Sequence, residues 1–538
     1  MRIRFYTIAI IIALGFIGCK KEKKVAEVSE EKAPNVIYLF ADDLNDVVLG
    51  GHPQVKSPNI DKLIASGTSF TNAHTNAPLC APCRASVLTG LLPSTTGYFG
   101  GAQYDFKENP NLKNAITFME HFRENGYKVM GTGKIFHHKH QDTTVWVDKN
   151  GDYLHGYDAS FGPFPWDGKG LPNNKKGWGV KHPSFPTLDT DVLPTSLADV
   201  PNYEPDPKND IPGGKGWRLY YQDFKYNSED DRDLMPDELS TKWVKEQLGK
   251  KHDKPFLLCV GFNRPHAPYI APKKYFDMFP LEDIKIAETV ENDTADCAEI
   301  LVKKADYGTG AHGYDNYNAI KNLGPDGLKK WTQAYLACVA FVDDQVGQII
   351  AALEKSDYAD NTIIFFSSDH GYHMGEKKWL FKNTLWGKAT RIPFVFSGPG
   401  IEKAKTTNIP VSLVDFYPTI LELCGIEGNP NADTNQLALD GRSLSSILKG
   451  NDHSKEEEQY AVSYVSSKTN AGGEGDVTSY RDQHTAIISK THRYIRTYNG
   501  EEELYNIQED PNEINNLAND KNSISVLEKM RKVYENIE

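Results

Sequence analysis

Three apolar runs of strand length punctuate the chain, and each stops abruptly at a cluster of polar residues. Asn35-Val36-Ile37-Tyr38-Leu39-Phe40 ends in Ala41-Asp42-Asp43. Phe256-Leu257-Leu258-Cys259-Val260 runs on to Arg264-Pro265-His266-Ala267-Pro268, and Thr362-Ile363-Ile364-Phe365-Phe366 to Ser367-Ser368-Asp369-His370-Gly371. Continuous apolar character marks a strand covered on both faces, as in a central parallel sheet. A helical pattern over about residues 328–354 precedes the third run, so the predicted class is α/β with a large sheet flanked by helices. Sites in such sheets form beyond the carboxyl ends of strands. The three polar clusters are therefore predicted to meet. Toward the end of the chain, residues 411–424 read as a helix closing the large domain, and the Asn/Asp/Pro-rich stretch 428–435 as a boundary. Residues 460–466, 485–489 and 494–498 then alternate like a small antiparallel sheet. The predicted organisation is a large domain over 34–427 and a smaller α+β subdomain over 428–538.

The N-terminus belongs outside this fold. A short basic start, Met1-Arg2-Ile3-Arg4, leads into an apolar run over residues 8–17, too short to span a bilayer comfortably. Phe16-Ile17-Gly18-Cys19 then resembles a bacterial lipobox, with residues 1–18 a signal peptide and Cys19 the lipidated residue. Residues 19–33 are charged and poor in bulky apolar groups, which suits a solvated tether. The expectation is an exported bacterial lipoprotein, held to a membrane by its lipid in the periplasm or at the cell surface.

With 538 residues the chain exceeds a single ordinary core. Its formal net charge of −13 argues against non-specific binding of nucleic acid, and no nucleic-acid motif is present. An anionic substrate stays open, because a local basic pocket decides that. The seven cysteines are scattered rather than set out as a disulfide framework. Cys259, Cys338 and Cys424 lie in apolar stretches and read as small buried hydrophobes. Cys80 and Cys83 form a C-x-x-C pair, which suggests thiol exchange or half a zinc site. Neither explains the adjoining Arg84 and Leu88-Thr89-Gly90, and no second ligand pair at zinc spacing exists.

The most informative string is Cys80-Ala81-Pro82-Cys83-Arg84-Ala85-Ser86-Val87-Leu88-Thr89-Gly90. It sets a cysteine at the start of a helix with an arginine one turn on, on the same face. A helix N-terminus offers free N–H groups and partial positive charge, a natural seat for an anion. Asp42, Asp43 and Asp369 offer hard oxygen ligands, and His370 adds a nitrogen or borders the site. Crowded carboxylates call for a cation, and an oxygen-rich set favours calcium, with magnesium second, over zinc. Alone, Asp42-Asp43 would be read as capping a turn; the second acidic strand end changes that.

The string resembles the sulfatase signature Cys-x-Pro-x-Arg-x-x-x-Leu-Thr-Gly, in which the cysteine is oxidised to formylglycine. Ser57-Pro58-Asn59-Ile60-Asp61-Lys62-Leu63, Gly133-Lys134-Ile135-Phe136-His137, Pro265-His266-Ala267-Pro268, Ser368-Asp369-His370-Gly371 and the segment from Gly375-Glu376-Lys377 to Lys382 resemble further elements of the type I sulfatases, in order. From about residue 35 to 517 the chain looks like the iduronate-2-sulfatase-like branch of bacterial polysaccharide sulfatases. The resemblance implies an alkaline-phosphatase-like catalytic domain. It also implies that Asp42, Asp43, Asp369, His370 and the modified Cys80 bind calcium, and that Arg84 holds the formylglycine hydrate and the carboxylates. Lys134, His266 and Lys382 would grip the sulfate, His266 or Lys382 would protonate the leaving alcohol, and His137 would release sulfate from the hydrate. A formylglycine-generating enzyme becomes an implied partner. Two departures stand out: Cys83 replaces a common serine and leaves a thiol beside the site, and Trp379 replaces a common histidine near Lys382.

Between these elements, residues 141–233 are rich in Gly, Pro and aromatics. Trp146, Trp166, Trp178 and Trp217 would form either a carbohydrate-stacking wall or a lid packed on itself. The reading is a sulfatase acting on a sulfated carbohydrate such as ulvan, carrageenan or a glycosaminoglycan. The alternatives are a phosphodiesterase or phosphonate hydrolase of the same superfamily, or a non-catalytic carbohydrate-binding relative.

Overall fold

The computed structural model describes residues 32–100, 105–137, 143–168, 193–208, 212–219, 222–302, 312–431, 437–451, 458–467 and 479–537. The proposed signal peptide and Cys19 lie outside them. The apolar run at residue 35 forms strand β1 (Asn35–Asp42), the centre of an eight-stranded sheet. In chain order the other strands are β2 (Gly67–Phe70), β3 (Lys128–Gly133), β4 (His155–Asp158), β5 (Phe256–Pro265), β6 (Thr362–Ser368), β7 (Phe394–Ser397) and β8 (Lys405–Thr407). Their order across the sheet is β8-β2-β7-β6-β1-β5-β3-β4. β1 runs parallel to β5 and β6, β5 to β3, and β3 to β4, while β7 is antiparallel to both neighbours.

Side chains alternate across a strand, and β1 shows the consequence. Ile37, Leu39 and Ala41 enter one core, and Val36, Tyr38 and Phe40 enter the other. On the first face lies helix α5 (Gly327–Glu354) with α1 (Pro58–Ala65) and α4 (Pro236–Leu248); on the second lie α2 (Cys80–Thr89), α3 (Phe118–Glu124) and α6 (Phe416–Leu423). α5 is long and apolar enough to cross a membrane, but two thirds of its most apolar window is buried inside the protein, as in a core helix.

Residues 411–424 do not form one helix. Val411–Ser412 pairs with Ala73–His74, a 3-10 turn comes next at Leu413–Asp415, and α6 starts at Phe416. The Asp415 carboxylate accepts from the Ser412 amide at 2.9 Å, and the Asn76 side chain from the Val414 amide at 3.1 Å. These bonds hold the backbone out of the helix that the apolar spacing suggests.

Strands β9 (Ala461–Val465), β10 (His484–Ile488), β11 (His492–Arg496) and β12 (Glu502–Asn506) form an antiparallel sheet in that order. Ile487, Tyr494 and Leu504 pack against the final helix α7 (Ile524–Glu535). The other face, with Ile488, Ile495 and Tyr505, packs on Trp379, Leu385 and Trp386. β9 is also joined to the large sheet's layer, Tyr464 donating its amide to Asn76 at 2.9 Å.

Candidate active site

Strand register brings the predicted clusters level. Asp42 stands opposite Pro265, and Ala41 opposite Ser368, so Asp42, Asp43, His266, Asp369 and His370 emerge at one edge. Asp43 turns away with φ of 65°, and its amide donates to Asp369 Oδ1 at 3.1 Å. Lys134 arrives by a different device. Gly133 and Gly261 face each other in the sheet, and the Lys134 amide donates to Gly261 O at 2.8 Å. A Cβ at either glycine would sit 2.0 Å from a backbone atom of the opposite strand. Glycine is what lets the strands close and carry Lys134 inward.

Helix α2 is buried along its whole length, begins at Cys80, and ends in a left-handed Gly90. Its first turn aims Cys80 at the strand ends. Cys80 Sγ lies 3.6 Å from Asp42 Oδ1, 3.2 Å from His370 Nε2 and 3.1 Å from Lys382 Nζ. One turn on, Arg84 contacts Asp369 Oδ2 at 3.0 Å and Asp42 Oδ1 at 3.6 Å, and donates to the carbonyls of Lys134 and Ile135. It thus ties β3, β1 and β6 to the helix. Lys134 pairs with Asp42, and Lys382 with Asp43 at 2.6 Å. His266 Nε2 is 3.7 Å from Asp43 Oδ2.

Donor atoms from Asp42, Asp43, Cys80 and His370 lie within 4.8 Å of one another. This set fits a cation. Two carboxylates dominate it, Asp43 Oδ2 is buried without a hydrogen-bond partner among the described residues, and His370 presents Nε2 because its Nδ1 donates to Gly371 O at 3.0 Å. Asp369 borders the group. Its Oδ1 takes the amides of Asp43 and His370, and its Oδ2 faces Arg84 at 3.0 Å and His370 Nε2 at 3.7 Å.

The electrostatics favour negative charge at the Cys80 position. Burial alone would raise the thiol, but Lys382, Lys134 and His370 outweigh it, a side-chain hydrogen bond from His137 adds to them, and Cys80 lies well below its ordinary value. Burial likewise would raise Asp42, yet Lys134, with His266 and Arg84, holds it far below the carboxylate range. Asp369 goes the other way, lifted to about 7 by burial and by Asp42 against the pull of His370 and Arg84. For His370, Asp369 and Cys80 overcome the effect of burial and lift the imidazole to about 9. Burial lowers Lys382, but Asp43 and Cys80 raise it further, so it stays an ammonium.

Several expectations change. Cys83 does not face the cluster: its thiol donates to Asp369 O at 2.7 Å, and burial, then Asp369, pushes its pKa well up. It is a buried structural donor rather than an oxidisable or exchanging thiol. Trp146 and Trp217 are core residues, not an exposed wall; Trp146 covers Gly131, and Trp217 donates to Leu197 O at 3.0 Å. Trp166 is half-buried with the Arg218 guanidinium 3.5 Å from its ring centre, and Trp178 lies outside the described residues. Trp379 is buried, its indole directed at Lys382 O at 3.4 Å. One wall residue escaped sequence reasoning. The Phe161 ring lies 4.5 Å from that of His266 and 4.4 Å from Lys134 Nζ. Nothing in its neighbourhood, Ser160-Phe161-Gly162-Pro163, distinguishes it from the other aromatics of the insertion.

Carboxylates able to hold a cation, an activated position at a helix start and a ring of fixed cations define a hydrolase of anionic esters. A family model described as "Sulfatase" matches residues 34–426, and one described as "N-sulphoglucosamine sulphohydrolase, C-terminal" matches residues 375–538. The chain belongs to the sulfatase family and is a sulfuric ester hydrolase. A "Sulfatase" of Formosa agariphila is 33% identical over 96% of this chain and 89% of its own. "Ulvan-active sulfatase" of the same organism is 27% identical (95% and 82%), and mouse "Iduronate 2-sulfatase" 28% identical (80% and 76%). Among solved structures, one bound to D-glucosamine-2-N,6-O-disulfate shares the fold with TM-score 0.62 and 19% identity, over 94% of this chain and 99% of that one. A phosphonate monoester hydrolase of Agrobacterium radiobacter shares it with TM-score 0.64 and 21% identity (93% and 94%). The fold is thus common to both ester classes, and the named sequence relatives are sulfatases.

Proposed function

We propose that the protein removes sulfate from a sulfated carbohydrate, with Cys80 converted to formylglycine and Asp42, Asp43, Asp369 and His370 holding Ca2+. The observation that carries the reading is the convergence of Lys134, Lys382 and His370 on a single buried cysteine at a helix start, with His266 beside them. Bound there, a cation would offset negative charge, and the formylglycine hydrate would supply a nucleophile with a second hydroxyl. The Cys80 sulfur stands for the attacking oxygen. Lys382 and Lys134 would neutralise sulfate oxygens, contacts that strengthen as charge builds on them. Arg84 holds the carboxylates in place. His266 donates Nδ1–H to Ala267 O, so its imidazolium form would carry the second proton on Nε2 and pass it to the leaving alcohol. His137, hydrogen-bonded to Cys80, would take a proton from the same position when sulfate departs. The carbohydrate substrate draws support from the ulvan-active and iduronate relatives and from the disulfated glucosamine in the structural neighbour.

Mass spectrometry of the Cys80 peptide from the native host should show the aldehyde. The matured enzyme should cleave sulfated oligosaccharides, lose activity on chelation and regain it with Ca2+. An active enzyme with an unmodified thiol, or turnover of phosphate diesters and no sulfate ester, would overturn the reading. We also propose export and lipidation at Cys19. Fatty-acid labelling of the native protein that survives Cys19→Ala would refute that anchor.

A further inference from the structure

We propose that Glu513, in the C-terminal subdomain, is a positioning residue that sets Lys382 in the active site. The inference rests on the reading of Lys382 as a sulfate-gripping group. Lys382 is delivered by a segment whose backbone is left-handed at three non-glycine residues, Lys377 (φ 52°), Lys378 (φ 56°) and Asn383 (φ 63°). Such conformations persist only where the surroundings over-determine them.

Here the surroundings are the C-terminal sheet, and Glu513 is the knot. Its backbone carbonyl accepts from Lys377 Nζ at 2.7 Å, upstream of Lys382. Its carboxylate accepts from the Gly387 amide at 2.7 Å, downstream of Lys382, and from Arg493 Nε of β11 at 2.6 Å. Arg493 also donates to Leu385 O at 2.9 Å. One residue therefore ties both ends of the segment to a single strand. The Lys377, Glu513 and Arg493 side chains are all at most 2% exposed.

Burying these charges is costly unless each is paired and hydrogen-bonded, and an apolar contact would hold two layers together equally well. An apolar core does lie alongside, with Trp379 and Trp386 against Ile488 and Ile495. What the ions add is direction: the Gly387 amide and the Leu385 carbonyl are fixed by Glu513 and Arg493, and Lys377 is fixed by its ammonium, which also pairs with Asp293 at 3.0 Å. The consequence appears at the site, where Lys382 Nζ is 2.6 Å from Asp43 and 3.1 Å from Cys80 Sγ.

The test is a double-mutant cycle on the matured full-length enzyme, with Glu513→Gln, Lys382→Ala and both together. Glu513→Gln should lower kcat/KM by about 10- to 100-fold, the scale of an ångström-size misplacement. It should also weaken product inhibition by inorganic sulfate, and cost less than about 3-fold in the Lys382→Ala background. Glu513→Asp should recover part of the loss. Thermal midpoints report folding, and Lys377→Met replaces Glu513→Gln in the cycle if the latter fails to fold. Multiplicative losses, or unchanged kcat/KM and sulfate inhibition in a folded variant, would overturn the proposal. A matured wild-type enzyme that turns over no sulfate ester would instead overturn the reading of the site beneath it.

Discussion

Phe161 shows how a residue without charge can shape a charged site. Its ring lies tilted against the His266 imidazole with the Lys134 ammonium over its face, and its carbonyl is fixed by Arg264 Nη2 at 2.8 Å. A ring in this place holds the imidazole at one angle and keeps water off the ammonium. Phe161→Ala is expected to lower kcat/KM by about 10-fold, while Phe161→Tyr stays near wild type. Steady-state kinetics decide this. The carboxylates at the strand ends and the cysteine with an arginine one turn on were legible from residue type and spacing, whereas Lys134, His266 and Lys382 were legible only through the resemblance to the sulfatase motifs. Phe161 was not legible, because an aromatic serves core and site equally well. Trp146 and Trp217, which looked just as eligible, went to the core.

At the scale of elements, the site depends on how strands end. β1, β5 and β6 end in residues that the register sets side by side, and β3 ends at Gly133, whose φ is 73°. Gly133→Ala would put a Cβ 2.0 Å from Gly261 O. It is expected to destabilise the protein by about 1–3 kcal/mol and to depress activity further, because Lys134 is the next residue. Urea unfolding and kinetics on the same variant separate the two effects. The apolar runs announced β1, β5 and β6 and the helix at 328–354, and alternation announced the small sheet. β2, β3, β4, β7 and β8 went unseen: four of them have only three or four residues, too few for periodicity to stand out, and β3 has two glycines and a threonine among its six. The stretch 411–424 reads as one helix and is not, because Asn76, distant in sequence, caps its start.

At the scale of the molecule, burial fixes the protonation states of histidines that the proposed chemistry does not use. His155 and His484 are held down to about 4, and His373 to about 3, chiefly by desolvation. Unfolding frees each to bind a proton near the ordinary value of about 6.5. Between these limits the unfolded chain binds more protons, so stability rises with pH there and is lost as pH falls from about 6.5 toward 4. Each such proton contributes a slope of about 1.4 kcal/mol per pH unit. Asp343, raised to about 6 mainly by burial, and Asp369, lifted to about 7, act in the opposite sense below those pH values and offset two of the three histidines. Denaturation midpoints measured from pH 7 to pH 4 should therefore fall, and replacing His484 with Gln should flatten the decline.

The sequence by itself determined the chemistry, since residue type decides what can bind a cation or an oxyanion, and the apolar pattern decided where the central strands run. Tertiary structure decided which aromatics were free to face the site, because only packing says which surfaces are already covered. It also decided how the site is held. The segment carrying Lys382 is linked to Arg493 and Glu513 by hydrogen bonds between residues more than a hundred positions apart, a relation no local pattern encodes. Physically, motifs report what a residue can do, whereas orientation is set by the sum of distant contacts that outweigh the local preferences of the loop carrying it.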